Sequence, residues 1–334
     1  MFLSPEPLYN VTHVSAFNQL RRLLPWNLVR ALDELKELPQ LRTQLDQCLA
    51  IQRLDTTQLG RLEKALKKLG HPSVLAHVRA AVDDATVDSD PCPHIVVDSI
   101  LPDDVYDELL AALPPRVFFE HMKVNRQDLS VPFELAPRYH REVWATFQRH
   151  VITEGLQPAL AAKFRSDLDA LVHAIWPTYG SLDDAGITLE RVASRLMRRG
   201  PGYEIKPHRD PRWAFLTCIL YLTRRDDVQT YGTQLCRLTH ERAANSHSPF
   251  YVESGECEVV HDVPGRPNTA VVFLNSSGAH RASIPQDAPP DTDRYVYQLQ
   301  LGPHPSVREV LIGALPEGDA QGWSRKTGKQ TLKH

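Results

Sequence analysis

From about residue 188 to residue 301 the chain is a succession of short segments rich in β-branched, aromatic and other apolar residues. They fall at 190–198, 203–209, 214–222, 233–238, 256–261, 270–274 and 294–301. Turns of Gly, Pro, Asn and Asp divide them, and no helical periodicity intervenes. Many short strands with no helices between them predict a sandwich or barrel in this third of the chain.

The region before it reads differently. Leu28, Leu32, Leu35 and Leu38 repeat at helical spacing until Pro39. A second run, Leu59, Leu62, Leu66 and Leu69, is flanked by Arg61, Glu63, Lys64, Lys67 and Lys68 and stopped by Gly70 and Pro72. A third covers 73–82. The acidic, turn-rich stretch DDATVDSDPCP at 83–93 has no periodicity and predicts a boundary. His94-Ile95-Val96-Val97 then reads as a strand leading into an amphipathic helix over 103–113, and 139–176 is helical by pattern. The expected organisation is an N-terminal helical region (1–90), an α+β domain of strands with supporting helices (91–310), and a basic C-terminal tail (311–334) carrying Arg325, Lys326, Lys329 and Lys333. The helical stripes serve packing or contact with a protein partner or a second copy.

A net charge of −3 argues against general nucleic-acid binding, which needs excess Lys and Arg. No apolar stretch approaches the roughly 18 residues that span a bilayer. The five cysteines are widely spaced and form no C-x-x-C, which favours reduced thiols over a disulfide framework or structural zinc. No basic segment followed by an apolar run opens the chain. The expectation is a cytoplasmic protein without nucleic-acid or membrane partners.

Chemistry concentrates in PGYEIKPHRDPR, residues 201–212. Its His208-Arg209-Asp210 is not a kinase catalytic loop, because no DFG occurs anywhere. In a strand, residues two apart share a face, so His208 and Asp210 can reach one ion while Arg209 points away. Pro211 ends the ladder. His280 follows another strand in AVVFLNSSGAHRAS. Two His and one carboxylate on one side of an ion match the facial triad of non-haem Fe(II) oxygenases. His261 and Asp262 are adjacent and would face opposite ways. His71, His77, His94, His121, His140, His150 and His173 have no ligand partner at useful spacing. No G-x-S-x-G elbow or P-loop is present.

The order GYEIKPHRD, FLTCILYL, GTQL, TAVVFL and His280 resembles the 2-oxoglutarate- and Fe(II)-dependent dioxygenases, in their prolyl-4-hydroxylase-like branch. The resemblance covers about 190–302 and reaches back toward PHIVVDSILPDDVYDELLAALP. It implies a double-stranded β-helix (a cupin-like jelly roll) with flanking helices. It also implies Fe(II) held by His208, Asp210 and His280, with 2-oxoglutarate and O2 as cosubstrates. Arg294, on one face of its strand with Val296, Gln298 and Gln300, is the expected anchor for the distal carboxylate, with Arg281 as the alternative. A tyrosine that helps hold the cosubstrate is Tyr221 or Tyr203.

The implied activity hydroxylates an unactivated C–H of a small molecule, such as an amino acid or biosynthetic intermediate, releasing succinate and CO2. Asp210 favours hydroxylation, desaturation or cyclisation over halogenation. Two alternatives stand beside it: a hydroxylase of a protein, peptide or carrier-bound substrate docked by the N-terminal helices, and a non-catalytic jelly-roll metal binder. Loops 117–137 and 239–256, with Arg212, Trp213 and Arg281, are the expected substrate contacts.

Overall fold

The computed structural model describes residues 56–123, 125–130, 136–227, 231–239, 251–252 and 254–315. The helix expected around Leu28–Leu38, the basic tail from 316 and most of loop 239–256 lie outside the described residues. Helices α1 (Thr56–Leu69) and α2 (Pro72–Asp84) come first, followed by strand β1 (His94–Val97) and helix α3 (Asp103–Ala111). A hairpin of β2 (Glu120–Lys123) and β3 (Arg126–Ser130) precedes a helical stretch. That stretch is α4 (Arg138–Thr146), a π-helical segment (Phe147–Leu156), α5 (Gln157–Lys163) and α6 (Arg165–Ile175). The strands β4 (Leu189–Arg199), β5 (Glu204–His208), β6 (Leu216–Tyr221), β7 (Thr233–Leu238), β8 (Cys257–Val263), β9 (Ala270–Leu274), β10 (Ala279–Ser283) and β11 (Arg294–Pro303) follow, and α7 (Pro305–Gly313) closes the described chain.

All strand pairs among the described residues are antiparallel. The larger sheet runs β1-β9-β6-β11-β4-β3-β2 and the smaller β5-β10-β7-β8. From β4 onward, then, the chain alternates between sheets, with β7 and β8 consecutive in the smaller one. Side-chain period two gives the larger sheet two different faces. Leu216, Cys218 and Leu220 of β6 and Tyr297, Leu299 and Leu301 of β11 join the helix-side core. Ile219, Tyr221 and Val296 pack instead with Leu235 and Val263 of the smaller sheet. A strand covered on both faces needs no polar alternation, which is why β6 reads LTCILY with every residue buried.

The helices cover the outer face of the larger sheet. Leu62, Leu69, Val74, Val78 and Val82 of α1 and α2 lie in the same core as Tyr106, Trp144 and Tyr297. Each such large side chain removed from water contributes about 1.5–3 kcal/mol. Leu59, at the start of the predicted stripe, is exposed. The rings of Trp144 and Phe147 meet Tyr297 at centroid distances of 5.7 and 5.5 Å. Buried polar ends find partners: Trp144 Nε1 donates to Ala112 O at 2.9 Å, and Tyr106 Oη donates to Thr223 O at 2.6 Å, tying α3 to the end of β6.

Candidate metal centre

His208 is the last residue of β5, and His280 sits in β10, which pairs with β5 on one side and β7 on the other. His208 and His280 are direct register partners, so both imidazoles emerge side by side, with ring centroids 4.1 Å apart. Pro211 follows the ladder, and the chain turns so that Asp210 joins them. One ligand atom from each of His208, Asp210 and His280 lies within 4.8 Å of the others, and all three residues are buried. Arg209 points away and donates to the carbonyls of Gly278 and Ser277.

Neighbouring groups orient the three. His208 Nδ1 lies 2.9 Å from Lys206 O; since a carbonyl only accepts, Nδ1 carries the proton and Nε2 is left to bind. Thr217 donates its hydroxyl to Asp210 Oδ2 at 2.5 Å, and Asn275 Nδ2 donates to Asp210 O at 2.8 Å. Phe273 walls the site, its ring centroid 4.6 Å from that of His280.

Burial pushes the pKa of His208 down, and burial together with the neighbouring His208 pushes His280 to about 3. Burial alone would raise Asp210, but the two imidazoles and the Thr217 hydroxyl outweigh it and hold the carboxyl below its ordinary value. Near neutral pH the three groups are therefore two free imidazoles and a carboxylate, the forms that bind a divalent cation.

Arg294 opens β11 on the inner face and is 7% exposed. Its Nε donates to Tyr231 O at 2.7 Å, and its Nη2 to Gly232 O at 3.0 Å and Thr233 Oγ1 at 3.3 Å. Among the described residues no carboxylate pairs with it, and burial draws its pKa down, an effect Tyr221 and Tyr203 partly offset. The guanidinium lies 5.5 Å from the centre of the Tyr221 ring. The Tyr221 hydroxyl is fully buried without a well-aligned hydrogen-bond partner, its polar neighbours being Thr233 and Arg294. A buried cation without a carboxylate among the described residues, beside a buried tyrosine hydroxyl, fits an anion with acceptor oxygens. Tyr203 is buried beneath the Arg199 guanidinium, 5.0 Å from its ring centre.

Arg281 follows His280 in the strand and so faces the other way; its Nε donates to Gln234 Oε1 at 2.7 Å. Trp213 packs against the helix-side core. Four inner-face residues carry roles that the linear pattern did not reveal. Thr217 holds Asp210. Gln300, its register partner, is 2% exposed and has a buried Nε2 without a partner. Arg195 and Arg126 place positive charge close enough to act on Asp210 and His208 respectively. Only register across neighbouring strands brings these side chains to the site.

No family model matches the chain, and no curated protein matches it. Solved structures do. A prolyl-4-hydroxylase from Pseudomonas putida is 15% identical at a TM-score of 0.34, covering 68% of this chain and 99% of that one. An oxidoreductase of the 2OG-Fe(II) oxygenase family from Burkholderia pseudomallei is 9% identical at 0.39, covering 70% and 92%. HygX from Streptomyces hygroscopicus, solved with nickel, 2-oxoglutarate and hygromycin B bound, is 13% identical at 0.35, covering 63% and 82%.

Proposed function

We propose that the chain is a 2-oxoglutarate- and Fe(II)-dependent dioxygenase built on a double-stranded β-helix, and that it hydroxylates a small molecule bearing an acidic group. One observation carries the reading: a buried 2-His-1-carboxylate cluster, deprotonated and oriented, on the inner face of two antiparallel sheets. The alternation of β4 to β11 between the sheets is the winding such a β-helix requires. With His208, Asp210 and His280 on one side of the ion, the other side stays open to ligands. Arg294, with the Tyr221 hydroxyl beside it, would take the distal carboxylate of 2-oxoglutarate, removing the cost of leaving that guanidinium buried and unpaired.

Bound there, the metal and cosubstrate supply the oxidation: O2 is consumed, 2-oxoglutarate yields succinate and CO2, and a substrate C–H becomes C–OH. The chain supplies position and dryness. Phe273 and Ile219 line the interior, Thr217 fixes the carboxylate oxygen, and Lys206 O fixes the imidazole tautomer. The preference for an acidic substrate follows from inner-face charge. Asp128 pairs with Arg199 at 2.6 Å and more loosely with Arg195 at 3.9 Å, which leaves Arg126 without a carboxylate among the described residues. Its Nε is buried and unpartnered.

No disulfide joins the described cysteines Cys92, Cys218, Cys236 and Cys257, and no described helix is long and apolar enough to cross a membrane. The apolar side chains that α1 and α2 bury in the core support a small-molecule substrate over one docked on those two helices; the helix expected around Leu28–Leu38 lies outside the described residues.

Anaerobic Fe(II) titration and succinate formation test the reading together. His208→Ala should lose both, whereas Arg294→Ala should keep the metal and weaken 2-oxoglutarate by roughly 10- to 100-fold, the worth of a charge-assisted hydrogen bond. Unchanged affinity for 2-oxoglutarate in Arg294→Ala would remove the anchor. Carboxylic acids should stimulate succinate formation more than their amides, and Arg126→Gln should raise KM for an active acid more than it lowers kcat. Equal stimulation by acid and amide would overturn the substrate class.

A further inference from the structure

A second group of metal-ligating side chains lies outside the catalytic cluster. Asp88, His94 and His261 each offer one ligand atom, all within 4.8 Å of one another. They come from the turn-rich stretch before β1, from the first residue of β1 and from β8, and so join the edge strand of the larger sheet to the edge strand of the smaller. We propose that Asp88, His94 and His261 form a second divalent-cation site, of the zinc(II) class, that ties these two sheet edges together.

The ligand atoms are held in place by other bonds. Asp88 and His94 exchange backbone hydrogen bonds of 2.9 and 2.8 Å in an antiparallel bridge. Asp88 Oδ1 accepts from the Asp90 amide at 2.9 Å, while Oδ2 lies 3.5 Å from His261 Nε2. His94 is buried, and its Nδ1 lies 2.9 Å from Cys92 O. A carbonyl there requires the proton on Nδ1 and leaves Nε2 as a lone-pair donor, the outer-shell arrangement that orients metal-binding imidazoles. Period two sends His261 to this side of β8 and Asp262 to the other, where it accepts from Gln234 Nε2 at 3.0 Å.

A simple His261–Asp88 ion pair does not account for the second imidazole. The His94 and His261 rings stand 4.8 Å apart at 57°, so both imidazoles face the Asp88 carboxylate. Two imidazoles and a carboxylate converging on one point suit a borderline transition-metal ion better than Ca2+ or Mg2+, which prefer all-oxygen sites. Asp88 and His261 are partly exposed, so water can complete the coordination. The site also braces the catalytic centre, because Phe273, the register partner of His94, touches His280.

The test is metal stoichiometry on the full chain, stripped of metal and equilibrated with Zn(II), or with Co(II) for its ligand-field spectrum. Wild type should bind two equivalents. His261→Ala and Asp88→Asn, both at partly exposed positions, should bind one and still form succinate from 2-oxoglutarate with Fe(II). His280→Ala should also bind one, and adding Zn(II) should raise the Tm of that variant but not that of the His261→Ala/His280→Ala double variant. The same number of equivalents in wild type and His261→Ala overturns the second site. Loss of an equivalent in His280→Ala reports on the catalytic centre separately, so the two readings fail independently.

Discussion

The hydrogen bond from Thr217 holds Asp210 Oδ2, the oxygen 4.0 Å from His280 Nε2, in place. Without it, a buried carboxylate between the end of β5 and Pro211 can rotate between rotamers. Thr217→Val keeps the shape and removes the donor, and it should weaken metal affinity about 10- to 100-fold, the usual cost of losing an outer-shell partner. Thr217→Ser should restore most of it. An Fe(II) titration giving the same affinity for Thr217→Val and wild type would show that the bond is incidental. The pairing of His208 with Asp210 was readable as a spacing of two, but β5 ends at His208, so the chain beyond the strand and not a shared strand face brings Asp210 in. Thr217 could be placed on an inner face from its own strand, but not beside Asp210, since that neighbour comes from another sheet. The choice between Arg294 and Arg281 was open for a similar reason. Both are arginines near His280 in sequence, and only the strand face separates the one in the interior from the one on Gln234.

At the scale of elements, amphipathic and apolar patterns located most helices and strands. The π-helical segment lies within the predicted helical region 139–176. Some elements escaped. The β2–β3 hairpin falls in the stretch expected to be a loop, α7 spans the expected start of the basic tail at 311, and β10 is AHRAS, too short and polar to be read as a strand. β10 forms because β5 and β7 supply hydrogen-bonding partners on both edges, a property of its neighbours rather than of its side chains. Close backbone approach is equally hidden in sequence. A Cβ on Gly232 would lie 1.6 Å from Val263 O. Gly232→Ala should therefore displace β7 from β8 and move the carbonyl that accepts from Arg294, lowering both Tm and 2-oxoglutarate affinity. A variant with wild-type values of both would mean that the two strands separate there without cost.

For the whole molecule, the buried imidazoles couple folding to pH. His280 has an ordinary value of 6.5 and a folded value of about 3, so between these limits the unfolded chain binds more protons than the folded one. Stability of the metal-free protein should be intact above about pH 6.5 and fall progressively toward pH 3. Asp210, held below its ordinary 3.8, adds in the same direction at the acid end. Thermal melts across this range should show a shallower decline for His280→Gln than for wild type; parallel curves would remove His280 as the cause. The amino-acid sequence by itself determined the all-strand character of the C-terminal third, the helical cover, and which His and Asp stand two residues apart. These depend on periods of 2 and 3.6 that each segment carries within itself. Tertiary structure alone decided that the imidazole at 280 stands opposite the one at 208, that Arg294 is buried without a carboxylate, and that Asp88, His94 and His261 converge. Those facts depend on which strands become neighbours and in what register, and register is set by the packing of both sheets at once.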